Sequence, residues 1–182
     1  MITIMSSMPF QGLATRRRNL ASGHTLFTRG SPVSSMFVII EGLVELVRHS
    51  EDGATLVLQR AGPGAVVAEA SLFSPAYHCD AVARRDSVVE SASVGELKAK
   101  LRDPAFAEQW MARLSHEVQA TRTRAEILSL KTVAERLSAW LDVNDRSPSE
   151  RRWVDVAAEI AVSPEALYRE LARRRRHTNH GH

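Results

Sequence analysis

Between residues 24 and 94 apolar and polar positions alternate in short runs, each closed by a glycine or a turn-forming cluster. The runs are HTLFTRGS, SMFVIIEG, LVELVRHSEDG, ATLVLQRAGPG, AVVAEASLF and HCDAVARRDSVVESASV. Alternation is clearest at Leu43, Val44, Glu45, Leu46, Val47 and again at Thr55, Leu56, Val57, Leu58. That is a half-buried strand pattern, because successive side chains on a strand face opposite ways. Glu51, Asp52 and Gly53 have hairpin-turn chemistry, with Gly53 supplying a positive φ. Short strands in series predict a small β-barrel or jelly roll.

After residue 102 the period changes. Asp103 can cap a helix whose first turn accepts Pro104, and neither proline nor glycine interrupts the chain from there to Leu141. Ala107, Met111, Leu114, Val118, Thr121, Ala125 and Leu128 repeat at alternating spacings of four and three, the seam of a two-stranded coiled coil. This predicts a homodimer; Phe106 and Trp110, off the seam, are expected to pack on the helix's own barrel. A break over residues 129–132 then begins a smaller domain with Val133, Leu137, Trp140 and Leu141 on one face, followed by a polar loop over 142–152. The expected organisation is α+β: a β-roll over 1–102, a dimerisation helix over 103–128 and a third region over 129–182.

That third region contains WVDVAAEIAVSPEALYRELARRRR, residues 153–176. Val156 and Ile160 give a short helix an apolar face, Ala161 to Ser163 make a turn, and Ser163 caps a second helix beginning at Pro164. Leu167 and Leu171 face inward while Glu165, Tyr168, Arg169 and Arg173 face out, which is the pattern of a helix-turn-helix offering its second helix to a major groove. Arg169 could bond guanine bidentately, Glu165 could accept from a cytosine amino group, and Arg173, Arg174, Arg175 and Arg176 could meet phosphates. An ordinary helical hairpin with a salt-bridged surface would carry the same apolar pattern, and Glu165 with Arg169 forms an i,i+4 pair.

Composition narrows the classes. The net charge of +3 is modest, but four arginines in a row at 173–176 favour a polyanion. One cysteine, Cys79, excludes an intramolecular disulfide framework. No secretory pattern opens the sequence, and no apolar run approaches the roughly 18 residues of a spanning helix, so a cytoplasmic protein without membrane contact is expected. There is no Walker-type phosphate loop, nucleophile elbow or catalytic carboxylate pair, so no enzyme is expected. A cupin-like metalloenzyme would need several converging histidines.

This order of parts resembles the superfamily of the cyclic AMP receptor protein and the fumarate-nitrate regulator (Crp/Fnr). The resemblance rests on LFTRGSPVSSMFVIIEGLVELV, on the GPG before VVAEASLF, and on SPEALYREL. It implies a homodimeric transcriptional regulator that binds double-stranded DNA, with RNA polymerase as a further partner. In the recognition helix Glu165 and Arg169 match the family, whereas Pro164 stands where an arginine is common. The resemblance also implies a phosphate cassette running from a Gly-Glu pair to an Arg-Ser pair. Here Glu69 matches, but Ala68 holds the Gly position, Cys79 the Arg position and Asp80 the Ser position. A cyclic phosphate would meet a carboxylate where it needs a cation, which argues against cyclic AMP. The family usually adds a β-hairpin wing after the recognition helix; the arginine run is expected to supply those phosphate contacts.

His78, Cys79 and Asp80 leave three readings open. Cys79 can be a small buried hydrophobe with His78 a hydrogen-bonded loop residue. The pair can hold a transition metal or haem with Glu69, Asp80 or one of His24, His49 and His116, although adjacent strand residues point apart. Cys79 can be a thiol switch, which requires an exposed thiol of low pKa. The histidines at 177, 180 and 182 read as a tail. A regulatory module acting on a protein partner, without DNA, is the alternative to the regulator.

Overall fold

A computed structural model describes residues 9–144 and 153–179 of the chain, with side chains as far as Arg176. It divides into two compact units, residues up to Met111 and from Ala112 onward. The loop expected over 142–152 lies outside the described residues from 145 on, as do His180 and His182.

The first unit is a roll of two four-stranded antiparallel sheets. One runs β1 (Thr15–Leu20), β8 (Ser87–Ser93), β3 (Ser35–Glu41), β6 (Val66–Val67); the other runs β2 (Thr25–Phe27), β7 (Asp80–Ala83), β4 (Val44–His49), β5 (Thr55–Ala61). The sheets meet through aromatic side chains: Phe27 of β2 stacks on Phe37 of β3 at 5.7 Å and on Tyr77 at 4.1 Å between ring centres. Ile39, Val44, Leu46, Val67, Ala81, Ala83 and Val89 are among the buried residues of this core. Gly42 turns β3 into β4 at φ 91°, and a Cβ there would overlap Ser87 and the carbonyl of Asp86, so only glycine fits.

Two elements were not read from sequence. β1 is Thr15-Arg16-Arg17-Arg18-Asn19-Leu20, exposed at all but its last residue, so it carries no alternation. Helix α1 (Val94–Lys100) follows β8; Ser93 Oγ accepts from Glu96 N–H at 3.1 Å and donates to the Glu96 carboxylate at 2.8 Å.

Helix α2 (Pro104–Ser129) begins where Asp103 accepts from Ala105 N–H, and ends at the expected break. Within the first unit Phe106 and Trp110 are buried and stack at 6.3 Å. Along the expected seam, Met111, Val118, Thr121 and Ala125 are exposed in the single chain, and Leu114 and Leu128 are half-buried. In the second unit α3 (Val133–Val143) starts from a reciprocal capping box between Thr132 and Glu135. It packs with α4 (Trp153–Glu159) and α5 (Pro164–Asn179) around Leu137, Trp140, Val156, Ala157, Ile160, Leu167 and Ile127 of α2. Ile127 lies one residue before the predicted seam position Leu128, which is why the heptad reading passed over it.

Candidate effector site and nucleic-acid interface

In the first unit the segment between β6 and β7 forms the candidate cassette. Ala68 adopts φ 78°, a left-handed conformation that suits glycine, and leads into a single 3₁₀ turn over Glu69–Ser71. Oε2 of Glu69 is shielded from solvent. His78 is exposed and shares a 2.9 Å hydrogen bond with Ser71 through Nδ1, while Cys79 is 1% exposed and faces the core. The two side chains therefore diverge, in a bend just before β7 begins at Asp80. Among the described residues no group of three or more His, Cys, Asp or Glu side chains is arranged to hold a metal. Burial pushes the Cys79 thiol up to about 11, with Asp80 and Glu69 adding to the rise and the Arg48 guanidinium opposing it. This is the reverse of the exposed, acidic thiol that a switch needs, and the structure thus favours the buried-hydrophobe reading of Cys79 over the thiol switch.

Asp80 corrects one expectation. Its position suggested a carboxylate facing a bound phosphate. Instead the register pairs Val47 with Asp80 and Leu46 with Ala81, so Asp80 lies on the face opposite to Cys79, Ala81 and Ala83. There its Oδ1 accepts the Arg29 backbone N–H at 2.7 Å and its Oδ2 stands 3.9 Å from His49 Nε2. The electrostatic objection from Asp80 falls, but the cassette still lacks a cation at 79 and a glycine at 68, so the donor set of the family's cyclic phosphate is incomplete.

On β4 the outer face carries Glu45, a buried carboxylate held by Arg60 at 2.9 Å and by Arg84. The inner face carries Val44, Leu46 and Arg48. Arg48 Nη2 donates to the His78 carbonyl at 3.3 Å, while its Nε is buried without a hydrogen-bond partner among the described residues. Sequence reasoning missed Arg48, although its phase with Val44 and Leu46 already placed it on the inner face.

In the second unit α4 ends in a Schellman turn: Val162 N–H donates to Ala157 O at 2.9 Å and Ala161 N–H to Ala158 O at 3.4 Å, with Ala161 at φ 52°. Ser163 Oγ then caps α5 by accepting from Ala166 N–H at 3.2 Å. The Glu165 backbone N–H, and then the Ser163 hydroxyl, hold the Glu165 carboxyl below the usual carboxylate range, with Arg169 assisting. Glu165, Tyr168, Arg169, Arg173, Arg175 and Arg176 include no buried residue, and Tyr168 is 49% exposed.

Arg174 departs from the expected outward run. It donates to Glu170 Oε1, to Ala134 O and to Ser138 Oγ, each at 2.8 Å, and so fastens α5 to α3. Arg173 bonds the same glutamate at 2.8 and 2.9 Å. The hydrogen bonds from Arg173, then Arg174, hold the buried Glu170 carboxyl down to about 2. Glu170 was not singled out in the sequence, where it reads as one more charged residue beside an arginine run.

Residues 17–103 match the family profile described as the cyclic nucleotide-binding domain. That span runs from β1 through α1 to the start of α2. The chain is a distant relative of CRP-like regulators: it is 27% identical over 124 residues to the CRP-like cAMP-activated global transcriptional regulator of two Mycobacterium tuberculosis strains, covering 65% of this chain and 54% of the relative. It thus spans about half the length of the curated relatives it matches. Among solved structures, FixK2 from Bradyrhizobium japonicum superposes with a TM-score of 0.71 at 20% identity, over 88% of this chain and 84% of that one. The c-di-GMP responsive regulator CLP from Xanthomonas campestris gives 0.64 at 21% identity, over 90% and 88%. The sensor domain of the transcriptional regulator DNR from Pseudomonas aeruginosa gives 0.52 at 26% identity, over 66% of this chain and 79% of that one. At these identities FixK2 and CLP show a common fold. Among the described residues no helix is long and apolar enough to cross a membrane.

Proposed function

We propose that the protein is a homodimeric transcriptional regulator whose cyclic nucleotide-binding domain senses an effector and whose helices α4 and α5 form a DNA-reading helix-turn-helix. The observation that carries this reading is α5 itself. A left-handed turn and a serine cap set its start, Leu167 anchors it in the core, and Glu165, Tyr168 and Arg169 stand along its outer face within the first two turns. In a helix-turn-helix these early outward positions reach base edges. The exposed seam of α2, from Met111 to Ala125, supports pairing of two copies, which would present two such helices to two half-sites. Arg175 and Arg176 then serve as phosphate contacts, whereas Arg174 belongs to the scaffold.

Signal transmission follows from the same parts. An effector that binds one arrangement of the dimer better than another shifts the population toward it, and with it the separation of the two α5 helices. RNA polymerase is the partner on which such a regulator acts.

The test is selection of bound duplexes from a random pool by the full chain at moderate salt. The expected result is an inverted repeat whose half-sites lie about one helical turn apart. Enrichment of no sequence above the pool would remove the DNA-reading role and favour a module acting on a protein.

A further inference from the structure

Arg48 is a half-buried cation on the inner face of β4, with its Nε shielded from solvent. Its neighbours on β4 toward the start of the strand, Val44 and Leu46, are buried on the same face. The pairing of β4 with β7 ends at Val47 and Asp80, and Arg48 then reaches the carbonyl of His78, next to Cys79, the position where the resemblance expects the cassette arginine. A guanidinium meets two oxygens of a carboxylate or phosphate through its Nε and Nη2 edge. Among the described residues Nη2 has only the long bond to the His78 carbonyl, and Nε–H is buried with no acceptor. Burying an N–H of a charged group without an acceptor costs its hydration with no return. The outer face of the same strand shows the contrast, since Arg60 is met there by the Glu45 carboxylate at 2.9 Å.

We propose that Arg48 is the anion-binding residue of this roll, and that the effector is a small organic anion whose carboxylate or phosphate oxygens close on the Nε and Nη2 edge of Arg48. The cation lost from the cassette at Cys79 is thereby supplied from the neighbouring strand. Glu69, whose carboxylate joins Arg48 in the surroundings of Cys79, favours a ligand that also carries a hydroxyl or amine donor. The proposal deepens the effector-sensing reading of the roll and does not depend on DNA.

The experiment is thermal unfolding of the full chain, without DNA, titrated with inorganic phosphate, citrate or cyclic AMP at constant ionic strength set by chloride. It is run on an Arg175→Ala/Arg176→Ala background so that the exposed arginines of α5 do not contribute. A saturable rise in Tm is expected with at least one probe, and the probe giving the largest rise separates phosphate from carboxylate preference. Arg48→Met should raise the apparent Kd for that probe tenfold or more, and Arg48→Lys, which keeps the charge without the bidentate edge, should fall between. If Arg48→Met unfolds, the Lys variant against wild type decides. No saturable rise with any probe, or the same rise in the Arg48 variants, would overturn the proposal. Either result would leave the duplex selection unaffected, so failure here and failure of DNA reading are distinguishable.

Discussion

The roll and the helical unit each bury one glutamate between two arginines. In the roll, Glu45 of β4 takes Arg60 of β5 and Arg84 just beyond β7, tying three adjacent segments of one sheet on its outer face. In the helical unit, Glu170 takes Arg173 and Arg174 from the next turn of its own helix, and Arg174 reaches on to α3. The difference lies in what is left over. The sheet's trio does not include Arg48, on the opposite face of the same strand, whose Nε has no hydrogen-bond partner among the described residues, whereas the helix's trio draws on arginines that the sequence offered to DNA. A buried carboxylate between arginines therefore marks charge used for structure, and the cations outside such trios are the candidates for ligands.

The largest expected effect tests whether the roll is the more rigidly specified region. Gly42→Ala should destabilise it by about 3 kcal/mol, since the new methyl overlaps Ser87 in a left-handed backbone. Hydrogen exchange should show the loss in the strands, with the α3–α5 amides retaining their protection. Equal loss in both regions would merge the two.

Next is the seam. Leu114→Asp places a charge at a half-buried position between the exposed Met111 and Val118, and should convert dimer to monomer in sedimentation at micromolar concentration. A persisting dimer would move the interface elsewhere.

Glu170→Gln sharpens the comparison from the helical side. Removing the charge should cost about 1 kcal/mol near neutral pH by weakening the bonds from Arg173 and Arg174. The pH dependence has a defined sign. Glu170 is held down to about 2 from an ordinary 4.5, so its contribution is fully present above about 4.5 and is lost as pH falls toward 2. Wild type and variant should therefore converge in urea-unfolding stability across that acid window. The variant should also release cations toward DNA and steepen the salt dependence of binding; an unchanged slope would show that Arg173 and Arg174 stay on the scaffold.

The smallest effect compares two alanines. Ala68 at φ 78° and Ala161 at φ 52° occupy left-handed turns, one in each unit. Replacing either with glycine should stabilise its unit by up to about 1 kcal/mol, the relief of strain exceeding the entropy glycine adds to the unfolded chain. A loss at both sites would show that the alanine methyls pack well enough to offset the strain.

How much of this was legible in the sequence varies with how local the cause is. The cap at Ser163, the turn after Ile160, the inward Leu167 and the start of α2 at Asp103 all follow from residues within one turn of each other. Helix α1 was legible too, through the Ser93 to Glu96 capping box, but that signal is short and Gly95 sits inside it. β1 was not, because an exposed edge strand of three arginines has no apolar period to detect. At the candidate site, strand alternation led to the expectation that His78 and Cys79 diverge, and they do so in a bend just before β7. The turning of Asp80 away from the core did not, because it depends on the pairing of Val47 with Asp80, residues 33 apart in the chain. Arg48 lay between these cases: its phase on β4 was readable, but its nearness to Cys79 again needed the register.

The central claim is that α5 reads DNA through its outer face, and Arg169 tests it most directly. With the selected inverted repeat and its single-base variants, Arg169→Ala should relax the preference at one base pair in each half-site by about 1–3 kcal/mol and leave the others unchanged. Equal weakening on every sequence, or no change on any, would contradict the account.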